Sequence, residues 1–195
     1  MICGFDEAGR GPLAGPVCAA AVILSAGFPA AILGDSKKLS PKRREEVRPL
    51  ILKEALGWGI GWASAWEIDR INILRASLLA MERAWEDLSL RLPAPPALRA
   101  VVDGLYVPRL PFPAEAVVRA DDSVPDVMAA SILAKTERDR LMGLYGCLYP
   151  EYGYEFHKGY PTRAHREAVL RYGPSPIQRL SFTVKPVIAK IHPVG

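Results

Sequence analysis

MICGFDEAGRG, residues 1–11, sets a short apolar run ahead of two adjacent carboxylates and a glycine-bracketed arginine. The apolar run reads as a core strand that ends at Asp6-Glu7, after which the chain turns through Gly9-Arg10-Gly11. Carboxylates at a strand end are well placed to hold a hard cation, and glycines let backbone approach a ligand closely. A cation beside exposed N–H groups and an arginine suits phosphate chemistry. An acidic pair before a glycine turn is often only a solvated loop, so the rest of the chain must decide. One geometric demand is explicit. Successive strand residues point to opposite faces, so Asp6 and Glu7 share a site only if the strand twists or stops there.

Residues 16–24 form a second apolar run, joined to the first by a Gly/Pro-rich turn. A helix follows from Pro41, with Ser40 as the natural N-cap. Gly57–Ala65 alternates glycine with Trp and Ile and reads as a strand with one thinly covered face. Glu67–Leu88 is a long amphipathic helix whose Ile71, Leu74, Leu78 and Met81 recur at core spacing. A proline-rich loop spans 92–98. Arg99–Asp103 and Glu115–Arg119 are short strands that each run into carboxylates: Asp103 itself, then Asp121 and Asp122. Asp126 to about Gly146 is a helix by its apolar periodicity, Tyr149–Thr162 an aromatic, Gly-rich loop, and Arg163–Tyr172 a short helix. The order β-β-α-β-α-β-β-α, then loop and helix, predicts one α/β domain over residues 1–195 with a mixed sheet.

In an open α/β sheet, strand ends converge on one edge, where ligands bind. Asp6-Glu7, Asp103 and Asp121-Asp122 could therefore meet. Carboxylates brought together repel and stay partly protonated without a cation. Hard oxygen donors of this kind suit Mg²⁺ or Mn²⁺. Two such ions about 4 Å apart form a phosphodiester-cleaving arrangement. Asp35-Ser36-Lys37-Lys38 precedes a helix; it is most often a charged loop, though Lys37 or Lys38 could reach phosphate. Tyr152–Tyr160 interleaves aromatics with basic groups, a pattern shared by base-stacking surfaces and by packed loops. His157 and His165 have no cysteine ligand nearby, so zinc is not indicated. Neither a P-loop nor a dinucleotide fingerprint is present.

The chain has 195 residues, half of them hydrophobic, and a formal net charge of +4, compatible with a nucleic-acid partner without requiring one. Cys3, Cys18 and Cys147 lack metal-ligand spacing and read as free thiols of a reducing compartment, the cytoplasm. Charges at Asp6, Glu7 and Arg10 interrupt any signal peptide. No apolar run approaches the roughly 20 residues that a membrane span needs. Asn72 and Gln178 are the only side-chain amides, which fits a heat-adapted or GC-rich source.

Six segments then carry a family resemblance: DEAGRGPLAGPV at 6–17, DSKKLS at 35–40, VVDG at 101–104, AASILAKTERDRLM at 129–142, HKGYPT at 157–162 and RLSF at 179–182. In this order they resemble bacterial ribonuclease HII, the type 2 ribonuclease H. The resemblance implies a ribonuclease H-like fold, with a mixed five-stranded sheet flanked by helices and a C-terminal helical segment. It implies cleavage of the RNA strand of RNA–DNA hybrids, and cleavage 5′ of the RNA–DNA junction at single ribonucleotides in duplex DNA. The products would carry 3′-hydroxyl and 5′-phosphate ends. Asp6, Glu7, Asp103 and Asp121 map onto the family's catalytic, metal-binding acids, serving Mg²⁺ or Mn²⁺. The last acid normally sits in a Lys-Gly-Asp triplet; here the triplet is Arg119-Ala120-Asp121, with Asp122 as an added neighbour. Gly9, Arg10 and Gly11 are implied to read the 2′-OH through backbone contacts, and Tyr160 to pack against the deoxyribose on the 3′ side. Lys37 and Lys38 are expected to touch phosphate. A monomer is expected, with no membrane association. Two rivals stand beside this reading: another nuclease or strand-transfer enzyme on the same fold, and a catalytically silent hybrid-binding module.

Overall fold

In the computed structural model, which describes residues 1–34, 39–92 and 98–184, the N-terminal apolar run forms β1 (Ile2–Ala8) and the next one β2 (Val17–Leu24). They pair antiparallel, with Asp6 opposite Ala20 and Glu7 opposite Ala19. β1 therefore does not end at the two acids, as its sequence suggested, but continues to Ala8. β3 (Ala55–Ala63) adds antiparallel to β2. β4 (Arg99–Asp103) lies parallel to β1, and β5 (Ala114–Val117) parallel to β4. The order β3-β2-β1-β4-β5 is the mixed five-stranded sheet expected. β2 lies between two other strands and is buried on both faces, which is why VCAAAVIL shows no polar alternation.

One face of the sheet packs on α2 (Ala65–Ser89), the other on α1 (Pro41–Glu54) and α3 (Pro125–Leu148). The glycines of β3 are explained by α2. A Cβ on Gly59 would lie 2.2 Å from the Ala84 carbonyl oxygen, and one on Gly61 2.0 Å from that of Ala80. Small residues on both partners let helix backbone rest directly on strand backbone. The buried stripe of α2 is accordingly Ala76, Ala80, Ala84 and Leu88, with Ile68 and Met81. Of the four residues expected in its core, Met81 is buried, Ile71 and Leu78 pack partly against it, and Leu74 does not join it. The cause is a break in the helix: Asn72 has φ 68° and ψ 165°, which resets the helical phase. The Asn72 side chain then accepts the Arg75 N–H at 3.1 Å and caps the continuation.

α3 begins hard against β1, where a Cβ on Gly4 would lie 2.2 Å from the backbone of Asp126. From there Ser131, Lys135 and Arg138, spaced at i, i+4 and i+7, share the face turned toward the end of β1. Residues 149–162 are more ordered than a loop. They contain a 3-10 turn at 150–152 and the single-turn helix α4 (Tyr154–His157), and lead into α5 (Arg163–Tyr172). Tyr152 and Tyr154 are buried and stack with centroids 5.5 Å apart, so they pack the fold rather than face a ligand. Cys3 and Cys18 are buried free thiols, pushed up by burial, and Cys147 is exposed. No helix of the described residues is long and apolar enough to cross a membrane.

Candidate active site

Three acids from three strand ends come together at one edge of the sheet. Asp6 lies near the end of β1, Asp103 is the last residue of the adjacent parallel β4, and Asp121 sits on a 3-10 turn (Ala120–Asp122) after β5. Asp103 Oδ1 accepts the Ala120 N–H at 2.8 Å, which draws that turn onto β4. One carboxylate oxygen from each acid lies within 4.8 Å of the others. Asp6 and Asp121 are buried and Asp103 half-buried. Asp122 is not part of this trio and forms an ion pair with Arg119 at 2.7 Å. Glu7 is outside the trio but lines the same cleft, and Arg10 Nη1 donates to its Oε1 at 3.3 Å.

Burial holds the Asp6 carboxyl well above the usual carboxylate range, and the negative charges of Glu7 and Asp103 push it further. A hydrogen bond with the Ser131 side chain and the Glu7 N–H, 2.7 Å from Asp6 Oδ1, opposes that rise. Glu7 is raised by burial and held back chiefly by Arg10. Clustered carboxylates at this cost fit a hard divalent cation, because a cation removes both the repulsion and the desolvation penalty. All the donors are carboxylate oxygens, the ligand type suited to Mg²⁺ or Mn²⁺ and not to a soft metal.

The cleft around them has a volume of about 400 Å³ and is also lined by Gly9, Arg10, Gly11, Arg44, Ser131, Lys135 and Tyr160. Arg44, Ser131 and Lys135 escaped the sequence reading. The last two had a signal, since they lie four residues apart on one face of the AASILAK helix. Arg44 on α1 had none. Lys37 and Lys38 fall outside the described residues. Tyr160 is 40% exposed, and the Lys135 ammonium lies 5.6 Å from its ring centroid. His157 and His165, whose rings stack 4.6 Å apart, shape the Tyr160 loop. The Gly159 N–H donates to His157 Nδ1 at 3.2 Å, and His165 Nδ1 lies 3.0 Å from the Tyr160 carbonyl oxygen.

The glycines of the first loop differ in what they permit. Gly9 has φ 99°, and a Cβ there would lie 2.0 Å from Arg138 Nε. Gly11 has no such strain, and its Cβ would meet only Tyr160 Cε1 at 3.7 Å. Gly9→Ala should therefore lower the melting temperature by several degrees, at about 2–4 °C per kcal/mol for a chain of this size, whereas Gly11→Ala should melt like wild type. Equal melting curves for the two variants would refute this account of the loop.

The family profile described as Ribonuclease HII matches residues 3–185. A ribonuclease HII of Treponema denticola is 57% identical, with 95% of this chain and 99% of that one covered. A second, from Dechloromonas aromatica, is 50% identical over 93% of this chain and 90% of its own. The crystal structure of ribonuclease H2 from Pyrococcus horikoshii superposes with a TM-score of 0.71 at 26% identity, covering 94% of both chains. Fold, acidic edge and relatives agree: the chain belongs to the ribonuclease HII family of metal-dependent nucleases, hydrolases of the phosphodiester bond.

Proposed function

We propose that this chain cuts the RNA strand of RNA–DNA hybrids and, in duplex DNA carrying a single ribonucleotide, cuts 5′ of the RNA–DNA junction, leaving 3′-hydroxyl and 5′-phosphate ends. The observation that carries this reading is one cleft holding both the Asp6–Asp103–Asp121 cluster and the Gly9–Gly11 loop, with Tyr160 at its rim. Asp6, Asp103 and Asp121, with Glu7 beside them, are the residues that hold Mg²⁺ or Mn²⁺. Two such ions, when bound, supply activation of water and charge stabilisation at the leaving 3′ oxygen. The Ser131 side chain lines the same cleft and opposes the upward shift of the Asp6 carboxyl. Arg10 and Lys135 place positive charge where the phosphates pass, and Lys37 or Lys38 adds a phosphate contact. Backbone N–H groups of the glycine loop meet the 2′-OH, the atom that separates RNA from DNA. Tyr160 takes the following deoxyribose. The protein acts as a monomer in the cytoplasm.

The deciding assay uses three substrates, each with Mg²⁺ or with EDTA: duplex DNA with one ribonucleotide, an RNA–DNA hybrid, and plain duplex DNA. Cleavage of the first two, abolished by EDTA, is the expected result. Cleavage of plain DNA would favour another nuclease on the same fold. Tight binding without cleavage would favour a silent binder, although a binder gains nothing from carboxylates set beside phosphates.

The acid cluster also predicts a metal-dependent stability. Folding raises the pKa of Asp6 and of Glu7 above their unfolded values. Between the two values the folded state binds more protons, so the apoprotein loses stability as pH rises through that window. At neutral pH a divalent cation must replace those protons. Saturating Mn²⁺ should then raise the melting temperature by about 5–10 °C, from roughly 2.7 kcal/mol at a hundredfold excess over Kd. The shift should shrink toward about pH 5, where protons compete for the same oxygens. A shift of equal size in Asp103→Asn would place the ion elsewhere.

A further inference from the structure

The loop from Gly9 to Pro16 crosses the site between β1 and β2, and its carbonyl groups are almost all claimed from behind. Arg179 donates from Nη2 to the Gly9 carbonyl (2.6 Å), from Nη1 to that of Arg10 (3.0 Å) and from Nε to that of Gly15 (2.8 Å). Arg138 donates from Nε to the Pro16 carbonyl (2.9 Å) and from Nη2 to that of Ala14 (3.1 Å). Its Nη1 donates to the Lys158 carbonyl (2.9 Å), in the segment that carries Tyr160. Gln178 Nε2 holds the Leu13 carbonyl at 2.9 Å. Each arginine reaches three carbonyls from three separate nitrogens of a planar fork, a spread that the single ammonium nitrogen of lysine cannot cover, so a lysine would release at least one carbonyl.

Both guanidiniums are fully buried, and neither forms an ion pair with a carboxylate among the described residues. Burial, and then the charge of Arg138, push Arg179 down to about 9, which leaves it cationic at neutral pH. Two buried cations on neutral acceptors are a costly way to pack a loop. What they achieve follows from peptide geometry. In a trans peptide the carbonyl of one residue and the N–H of the next point in opposite directions, and no cis peptide is present among the described residues. Drawing the Gly9 and Arg10 carbonyls inward onto Arg179 turns the Arg10 and Gly11 N–H groups the other way, toward the cleft. Those two N–H groups have no acceptor among the described residues.

The geometry points to Arg179, braced by Arg138, as the positioning residue for ribose recognition: it aims the Arg10 and Gly11 N–H groups at the sugar 2′ oxygen. This rests on reading the cleft as a ribonucleotide site. The segment carrying Arg179 is itself anchored from outside the core, because the Asp69 carboxylate accepts the Leu180 and Ser181 N–H groups, both at 2.9 Å.

The test compares kcat and KM on duplex DNA carrying one ribonucleotide with those on the same duplex carrying a 2′-fluoro nucleotide, a poor acceptor at that position. Wild type should strongly prefer the ribonucleotide. Arg179→Lys should lower kcat/KM on the ribonucleotide by about 10- to 100-fold, with little change on the 2′-fluoro substrate, so the preference collapses. Its stabilisation by Mn²⁺ should persist, since the acids are untouched. Asp69→Ala, which loosens the same segment from the surface, should weaken the preference in the same direction, and it carries the test if Arg179→Lys does not fold. An equal loss on both substrates, in whichever variants fold, would reduce the arginine to a structural brace and overturn the inference. If wild type itself shows no preference, the ribonucleotide-site reading fails and the inference falls with it. If wild type shows the preference and folded variants keep it, only the role of Arg179 is overturned.

Discussion

Asp103→Asn is expected to lower cleavage of a ribonucleotide-containing duplex by about a hundred- to a thousandfold, the order seen when a group that stabilises transition-state charge is removed. The fold should survive. Asn keeps the Oδ1 that accepts the Ala120 N–H, so the turn bearing Asp121 stays docked on β4. Without metal the variant should melt at or above the wild-type temperature, because a negative charge that raises Asp6 has gone. Asp121→Asn should be equally inactive, since Asp121 supplies the third oxygen of the cluster. Asp122→Asn should stay within about threefold of wild type: it loses only an ion pair whose arginine is 74% exposed, and such pairs contribute little. The three variants assayed side by side decide the matter. If Asp122→Asn proved the inactive one, the ligand set would be shifted by a residue and the cluster would be an incidental group of acids.

The sequence shows this site unevenly, for physical reasons. Strands announce themselves by apolar runs with a carboxylate at the end, so the meeting of Asp6, Asp103 and Asp121 was legible once the runs were laid side by side at one sheet edge. Glycine spacing in β3 suggested a thinly covered face; that face is instead buried under α2, whose alanines let helix backbone rest on it and carry no signal of their own in the sequence. The break at Asn72 was invisible, because Glu67–Leu88 keeps a helix-like apolar pattern on both sides of it. The inward turn of Tyr152 and Tyr154 was equally hidden, since an aromatic–basic alternation looks the same whether the rings face solvent or stack on each other. Most telling are Arg138 and Arg179. A fully buried arginine has no sequence signature, because its partners are carbonyl groups, which every residue carries.

Tyr160→Ala is expected to cut activity on a single embedded ribonucleotide by about 5- to 150-fold, from a stacking contribution of very roughly 1–3 kcal/mol by analogy with base–aromatic contacts. Activity on a long RNA–DNA hybrid should fall much less. The ring stands at the cleft rim beside Gly11, 40% exposed, so it has surface left to offer a substrate. Its backbone is fixed independently of the ring: the Tyr160 N–H donates to the His157 carbonyl at 2.9 Å, and its own carbonyl lies 3.0 Å from His165 Nδ1. A sugar lying flat against that ring leaves no room for a 2′-OH, which is why a deoxyribose on the 3′ side should be preferred. Tyr160→Phe, which keeps the face and drops the hydroxyl, should retain most of the junction preference. The competing account is that Tyr160 only packs the 149–162 segment. It predicts a lowered melting temperature and equal losses on both substrates. The ratio of the two activities, measured beside the melting curve, separates the accounts: an unchanged ratio with a lower melting temperature removes Tyr160 from junction sensing.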